Sequence, residues 1–232
     1  MIDLHYATTP NGWKATIALE EMELPYRVNF INLASGEQFE PEFLAISPNG
    51  RMPAIVDHEP QGGGAPVSVF ESGAILIYLA EKAGKFLPSE LRGRTEVIQW
   101  VMWQMAGLGP MMGQHAHFRQ YTKEPVVYAV KRYHGEVQRL FGVLENRLEG
   151  REAICGEYSI ADMACWPWVL TYKRQEIDLA EFPNVKRWHE FMKSRPGVRR
   201  GFDVGKEGRK FTEQAPSDEA RENLFERNQS GG

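Results

Sequence analysis

Apolar and polar positions change their period along this chain, and the change divides it in two. Ile2, Leu4 and Tyr6 alternate with polar residues, as the buried face of a strand requires. Gly12 to Glu23 carries Trp13, Ile17 and Leu19 as inward-facing positions and predicts a helix. Alternation returns less cleanly through Val28, Phe30 and Leu33, predicting a strand over Arg27 to Leu33. Pro41 to Ile46 is a short predicted helix whose early proline forfeits no intrahelical bond. Met52 to Asp57 and Val67 to Phe70 are strand-like. The Pro- and Gly-rich stretch 59–66 between them is longer than a tight hairpin turn and predicts irregular structure. Ser72 to Ala83 then predicts a helix with Ile75, Leu76 and Leu79 on one side.

Beyond Gly84-Lys85-Phe86-Leu87-Pro88 the period is helical throughout. Val130, Tyr133, Val137, Leu140, Phe141, Leu144 and Leu148 recur at three- and four-residue spacing, a long amphipathic helix. Ser159-Ile160-Ala161-Asp162 precedes an apolar run and reads as a capping box with Asp in place of the usual Glu. Val185, Trp188, Phe191 and Met192 mark a further helix before Arg195-Pro196-Gly197. From about Glu213 the chain is polar and ends in Gly-Gly, so a mobile tail is expected. The organisation predicted is a mixed α/β unit at 1–86, an all-helical unit at 92–205 and a tail at 213–232.

Composition narrows the function classes. The 232 residues are 42% hydrophobic and 25% charged, ordinary for a globular chain, and the formal charge of −4 gives no electrostatic case for nucleic acid or an anionic membrane. No apolar run approaches the ~20 residues that span a bilayer. Met1-Ile2-Asp3-Leu4-His5-Tyr6 has no basic region ahead of an apolar one, so no signal peptide is expected and cytoplasmic residence is. Asn228-Gln229-Ser230 matches a glycosylation acceptor but carries no weight without a secretory signal. Cys155 and Cys165 form no Cys-x-x-Cys, and no disulfide framework is expected.

Two short segments carry candidate chemistry. Glu71-Ser72 closes a predicted strand and opens a helix, where a carboxylate can take an ammonium while the hydroxyl and the first free amides take a carboxylate. The ordinary alternative is a serine N-cap. Thr9-Pro10-Asn11-Gly12 sits at the first strand-to-helix junction and is also a good turn sequence in its own right. His115 and His117 suggest a metal, but no third ligand stands at a recognisable spacing, and no metal is expected. Trp100, Trp103, Met105, Met111 and Met112 read as core packing, with one or two as a substrate wall, and Trp166 and Trp168 read as core.

Taken together, several motifs resemble the nu-class bacterial glutathione transferases, over Met1 to about Pro196. They are Thr-Pro-Asn-Gly-x-Lys at 9–14, Ile-Ser-Pro-Asn-Gly at 46–50, Met-Pro-Ala-Ile-Val-Asp-His at 52–58 and Phe-Glu-Ser-Gly-Ala-Ile at 70–75. Gly-Leu-Gly-Pro-Met-x-Gly-Gln at 107–114, Tyr-Ala-x-x-Arg-Tyr at 128–133 and Tyr-Ser-Ile-Ala-Asp at 158–162 complete the set. The resemblance implies a thioredoxin-like N-terminal domain followed by an all-helical C-terminal domain. It implies glutathione as co-substrate, no metal, and a homodimer.

By the same resemblance, Glu71 and Ser72 hold the γ-glutamyl end, and a cis Met52-Pro53 bond presents the Met52 backbone to the cysteinyl peptide. Arg51 and Gln38 are candidates for the glycine carboxylate, with a solvated arginine the alternative at Arg51. Arg132 matches an arginine that reaches a glutathione carboxylate across the dimer interface, and its alternative is a solvated arginine on a long helix. Thr9 and Asn11 face sulfur, and a hydroxyl or amide aimed there from a helix N-terminus lowers the thiol pKa. Tyr6 is the alternative, because several glutathione transferase classes use a tyrosine at the end of this strand. The activity implied is glutathione-dependent disulfide reduction with weak peroxidase activity, acting on a small disulfide or peroxide. The absence of a cysteine near the site fits that chemistry. The competing readings are a conventional transferase conjugating small electrophiles and a non-catalytic glutathione-binding regulatory protein.

Overall fold

A computed structural model of the chain describes residues 1–209 and 217–226. Strand β1 (Ile2–Tyr6), helix α1 (Pro10–Met22) and strand β2 (Tyr26–Phe30) form a crossover unit, and β1 and β2 pair in parallel from Ile2 opposite Tyr26 to Tyr6 opposite Phe30. Helix α2 (Pro41–Leu44) leads to β3 (Ala54–Asp57), antiparallel to β1, and β4 (Val67–Phe70), antiparallel to β3. The sheet order is β2-β1-β3-β4. Helix α3 (Ser72–Ala83) closes this half and stops at Gly84, whose φ of 64° is a left-handed cap that glycine adopts without strain. Arg27 to Leu33 is shorter as a strand than its alternation suggests. Ile31 N–H still reaches Tyr6 C=O at 2.8 Å, but pairing stops there and Leu33 enters a loop.

The second half is helical: α4 (Leu91–Trp103), a π-helical turn at Gln104–Leu108, α5 (Gly109–Ala116), a second π turn at His117–Tyr121, α6 (Val127–Arg147), α7 (Ile160–Val169), α8 (Pro183–Ser194) and α9 (Pro196–Asp203). The long amphipathic stripe lies on α6, with Val137, Leu140, Phe141 and Leu144 buried. The capping box is present at α7, where Asp162 accepts from Ser159 N–H at 3.0 Å. Asp162 also accepts from Ile154 N–H at 2.9 Å and Trp188 Nε1 at 2.8 Å, so one carboxylate ties α7 to α8 and the preceding turn.

Helix α1 lies between the two halves, with α3 on one side and α9 on another. Close approach to α9 needs Gly201, where a Cβ would stand 2.5 Å from Ile17 Cα. Glu21–Arg195 at 2.6 Å and Glu20–Arg200 at 2.7 Å flank the contact.

Of the expected tail, residues 213–216 and 227–232 lie outside the described residues, and Asn228-Gln229-Ser230 with them. Residues 217–226 depart from the expectation of a loose segment. Ser217 caps a short helix α10 (Asp218–Arg221) that runs into a π turn at Glu222–Glu226. Asn223 Nδ2 donates to Ala34 C=O at 2.8 Å, and the Phe225 ring meets His117 and Tyr121 at 4.7 and 5.3 Å. Polar composition hid these few anchoring contacts. Among the described residues no helix is long and apolar enough to cross a membrane.

Candidate functional site

A cavity of about 360 Å³ opens where the N-termini of α1 and α3 and the loop before β3 face the helical half. Thr9, Asn11, Gln38, Arg51, Met52, Pro53, Glu71 and Ser72 all line it. Thr9 caps α1: its Oγ1 accepts from Gly12 N–H at 3.2 Å, which leaves its O–H as a donor, and Met52 Sδ lies 3.8 Å away. Asn11 Oδ1 accepts from Trp168 Nε1 at 3.0 Å, so its NH₂ is left as the donor for a bound group. Two donors thus converge at the positive end of a helix, the arrangement that stabilises a thiolate.

At the other end, Glu71 is the residue before α3 and has φ 69°, a left-handed backbone that costs a non-glycine residue about 1–3 kcal/mol. Its side chain caps nothing in the helix, leaving the first α3 amides open, and Glu71 Oε1 accepts from Asn49 Nδ2 at 3.3 Å. The Met52–Pro53 bond is cis. Gln38 is buried, with Nε2 donating to Asn223 C=O at 3.4 Å and Oε1 without a partner among the described residues. Arg51 is exposed at the rim.

Two of the sequence candidates stand away from the cavity. Tyr6 is fully buried, its hydroxyl donates to Val204 C=O at 3.1 Å, and it is absent from the cavity wall. The ring lies against Gly12, where a Cβ would come within 2.7 Å of it, so β1 turns this side chain into the core toward the segment after α9. Arg132 is exposed on α6, where its charge reaches Glu136. His115 and His117 also separate: His117 packs on Phe225, whereas His115 is buried with Nδ1 2.7 Å from Gln175 Oε1. His115, His134 and Glu176 are grouped with ligand atoms within 4.8 Å of one another, and Glu176 pairs with Arg119 at 2.9 Å. Neither cysteine lines the cavity. Burial pushes the Cys155 thiol up to about 11 and the fully buried Cys165 thiol well above its ordinary value.

Several residues join the site without a clear signal in the sequence. Trp168, read as core, lines the cavity together with Leu33 and Leu224, and Met105 is the member of its tryptophan and methionine group that serves as substrate wall. Lys14 lies just behind the wall, 1% exposed, with Nζ on Gln104 Oε1 at 2.5 Å and Ser72 Oγ at 3.2 Å. The π turn at Gln104–Leu108 brings Gln104 and Met105 to this point, a helix irregularity of the kind frequent at functional sites. The motif at 107–114 is explained here. A Cβ on Gly109 would meet Gln104 Nε2 at 2.5 Å and Trp168 Nε1 at 3.2 Å.

Comparison with known families decides the assignment. Residues 2–81 match the glutathione S-transferase N-terminal domain, and residues 101–196 match the glutathione S-transferase C-terminal domain. The chain belongs to the glutathione S-transferase family. Within that family it is 57% identical over 199 residues to the disulfide-bond oxidoreductase YfcG of Escherichia coli K12, covering 85% of this chain and 93% of that one. A Pseudomonas putida glutathione transferase solved with one glutathione disulfide bound per subunit superposes with a TM-score of 0.84 at 38% identity, covering 88% of this chain and 91% of that one. A family member from Pseudomonas fluorescens Pf-5, solved with two glutathione bound, gives 0.82 at 43% identity, covering 87% and 92%. The glutathione S-transferase fold accounts for the four-stranded mixed sheet and the helical half together.

Proposed function

We propose that this glutathione S-transferase is a glutathione-dependent disulfide-bond reductase, and the observation that carries it is where sulfur chemistry is absent. The cavity places the Thr9 hydroxyl and the Asn11 amide at the start of α1, yet no cysteine lines it. The reacting sulfur must therefore be the ligand's. A free thiol with a pKa near ~8.5 is only a few per cent thiolate at neutral pH, and the two donors with the helix terminus raise that fraction. The glutathione thiolate attacks one sulfur of a small disulfide, forming a mixed disulfide and expelling the other sulfur as thiolate, which takes up a proton. A second glutathione thiolate then attacks the mixed disulfide at the glutathione sulfur, giving glutathione disulfide and the second reduced thiol. The two glutathione bound in the Pseudomonas fluorescens relative accord with such a sequence. Glu71, Ser72 and the α3 amides take the γ-glutamyl end, Met52 the cysteinyl backbone, and Gln38 and Arg51 the glycine carboxylate. With a peroxide in place of the disulfide, the thiolate attacks one peroxide oxygen and expels the other as alkoxide, which takes up a proton. A second glutathione then displaces water from the resulting sulfenic acid to give glutathione disulfide, the weak peroxidase reaction.

This reading makes the protein a cytoplasmic homodimer in which Arg132 reaches the partner's ligand. Val67 and Phe70 on the edge strand β4 and Met102 on α4 are exposed apolar side chains suited to such an interface. Light scattering gives the mass, and Arg132→Ala is expected to raise the KM for glutathione. The activity is tested by turnover of 2-hydroxyethyl disulfide with glutathione, coupled through glutathione reductase to NADPH loss, beside chlorodinitrobenzene conjugation. Strong disulfide turnover with feeble conjugation is the expected result. The reverse pattern overturns the proposal in favour of a conventional transferase, and binding without either turnover in favour of a regulatory protein.

A further inference from the structure

We propose that Lys14 is a positioning residue, a buried cation that holds the Ser72 hydroxyl as a donor toward the ligand's α-carboxylate and so selects glutathione's anionic γ-glutamyl end. The inference deepens the glutathione reading and rests on it. An ammonium only donates, so in the Lys14 Nζ to Ser72 Oγ contact at 3.2 Å the hydroxyl oxygen accepts, and its own hydrogen is left to donate. Inside the protein that hydrogen finds Met105 Sδ at 3.4 Å, a weak acceptor that a carboxylate oxygen outcompetes. Ser72 lines the cavity, so the hydroxyl joins the buried cation to the bound anion.

The missing counter-charge points the same way. Lys14 Nζ contacts Ser72, Gln104 Oε1 at 2.5 Å and Met105 Sδ at 3.4 Å, with no carboxylate in ion-pair range among the described residues. An unpaired buried charge is costly, and natural proteins pair or neutralise it. Burial brings Lys14 down to about 7, with the Glu71 carboxylate before α3 acting from further off to favour the charge. A carboxylate at Ser72 and the open α3 amides supplies the absent partner. Gln104 is held for the task, because Gly109 leaves the room that its amide occupies.

The test compares two ligands, S-methylglutathione, which has no thiol to ionise, and its analogue lacking the γ-glutamyl α-carboxylate, by titration calorimetry. In the wild type, removal of the carboxylate is expected to weaken binding about 10- to 100-fold. Lys14→Met is expected to weaken S-methylglutathione by a similar factor and the analogue less than about threefold. Equal weakening of both ligands, or of neither, overturns the proposal. If the wild type binds neither ligand, the glutathione reading itself fails. Wild-type titrations in buffers of different ionisation enthalpy serve if Lys14→Met does not fold. Near pH 8, S-methylglutathione is expected to take up more protons than the analogue, because the bound anion favours the ammonium, and equal uptake refutes the inference.

Discussion

On the proposed mechanism the Thr9 hydroxyl caps α1 and donates to sulfur, and Thr9→Val separates the two roles. Valine keeps the shape of threonine but neither accepts from Gly12 N–H, now 3.2 Å from Oγ1, nor donates to sulfur. Loss of the cap costs about 1 kcal/mol, which in a chain of this size lowers the melting midpoint by about 2–4 °C. Loss of a hydrogen bond to a thiolate costs about 1.5–3 kcal/mol, equivalent to a rise of roughly 1–2 units in the pKa of bound glutathione. The thiolate absorbance of the complex, followed against pH, reads that second term directly, and disulfide turnover at pH 7 is expected to fall about tenfold or more with it. Thr9→Ser keeps both functions and is expected to restore both readouts. A lower melting midpoint with an unmoved thiol titration would show Thr9 to be a helix cap alone, and the reasoning about sulfur would be refuted.

Three further outcomes follow from the packing. Tyr6→Phe removes the bond to Val204 C=O and is expected to lower stability by about 1 kcal/mol while leaving disulfide turnover within about twofold of wild type, so a large loss of turnover would return the sulfur contact to Tyr6. Asp162→Ala strands the donors of Ile154, Ser159 and Trp188 in the core and is expected to cost about 3 kcal/mol or more, read by calorimetry as a drop of about 6 °C or more. Burial raises the Asp57 carboxyl, but Lys82, Tyr78 and the Glu59 amide outweigh it and hold the group below its ordinary value. A depressed folded-state pKa gives stability that is present above about pH 4 and lost as pH falls through the folded value, so the deficit of Asp57→Asn is expected to shrink in acid denaturation below that range.

The sequence disclosed the strands and helices wherever one face is cleanly apolar, as at Ile2, Leu4 and Tyr6 or along α6. It overextended β2 because Leu33, apolar like a strand residue, serves the cavity wall instead. The candidate site was legible at the strand-to-helix turn of Thr9-Pro10-Asn11 and the helix start at Glu71-Ser72 from local chemistry, and at the cis Met52-Pro53 bond through the family resemblance. Lys14, Trp168 and Leu224 were not legible as site residues, and Met105 only as one of a group of which one or two were expected at a substrate wall. Their neighbours lie far along the chain, as Asn11 and Trp168 do at 157 positions apart, and no local pattern encodes how two halves dock. The π turn that delivers Gln104 and Met105 leaves no mark on an apolar period that reads equally well as plain helix.

The clasp of α9 on α1 sets the order in which the protein can be finished. A growing chain that has not yet reached Pro196 carries the complete sheet and all three of its helices, but the face of α1 around Ile17 that receives Gly201 is still bare. The Tyr6 hydroxyl likewise waits for Val204, 198 positions downstream. The packing beneath the turn at the start of α1 is therefore finished only once the chain has passed Val204, and the cavity wall only when Leu224 has followed, so a shorter nascent chain holds the first half's strands and helices without the support that α9 gives them.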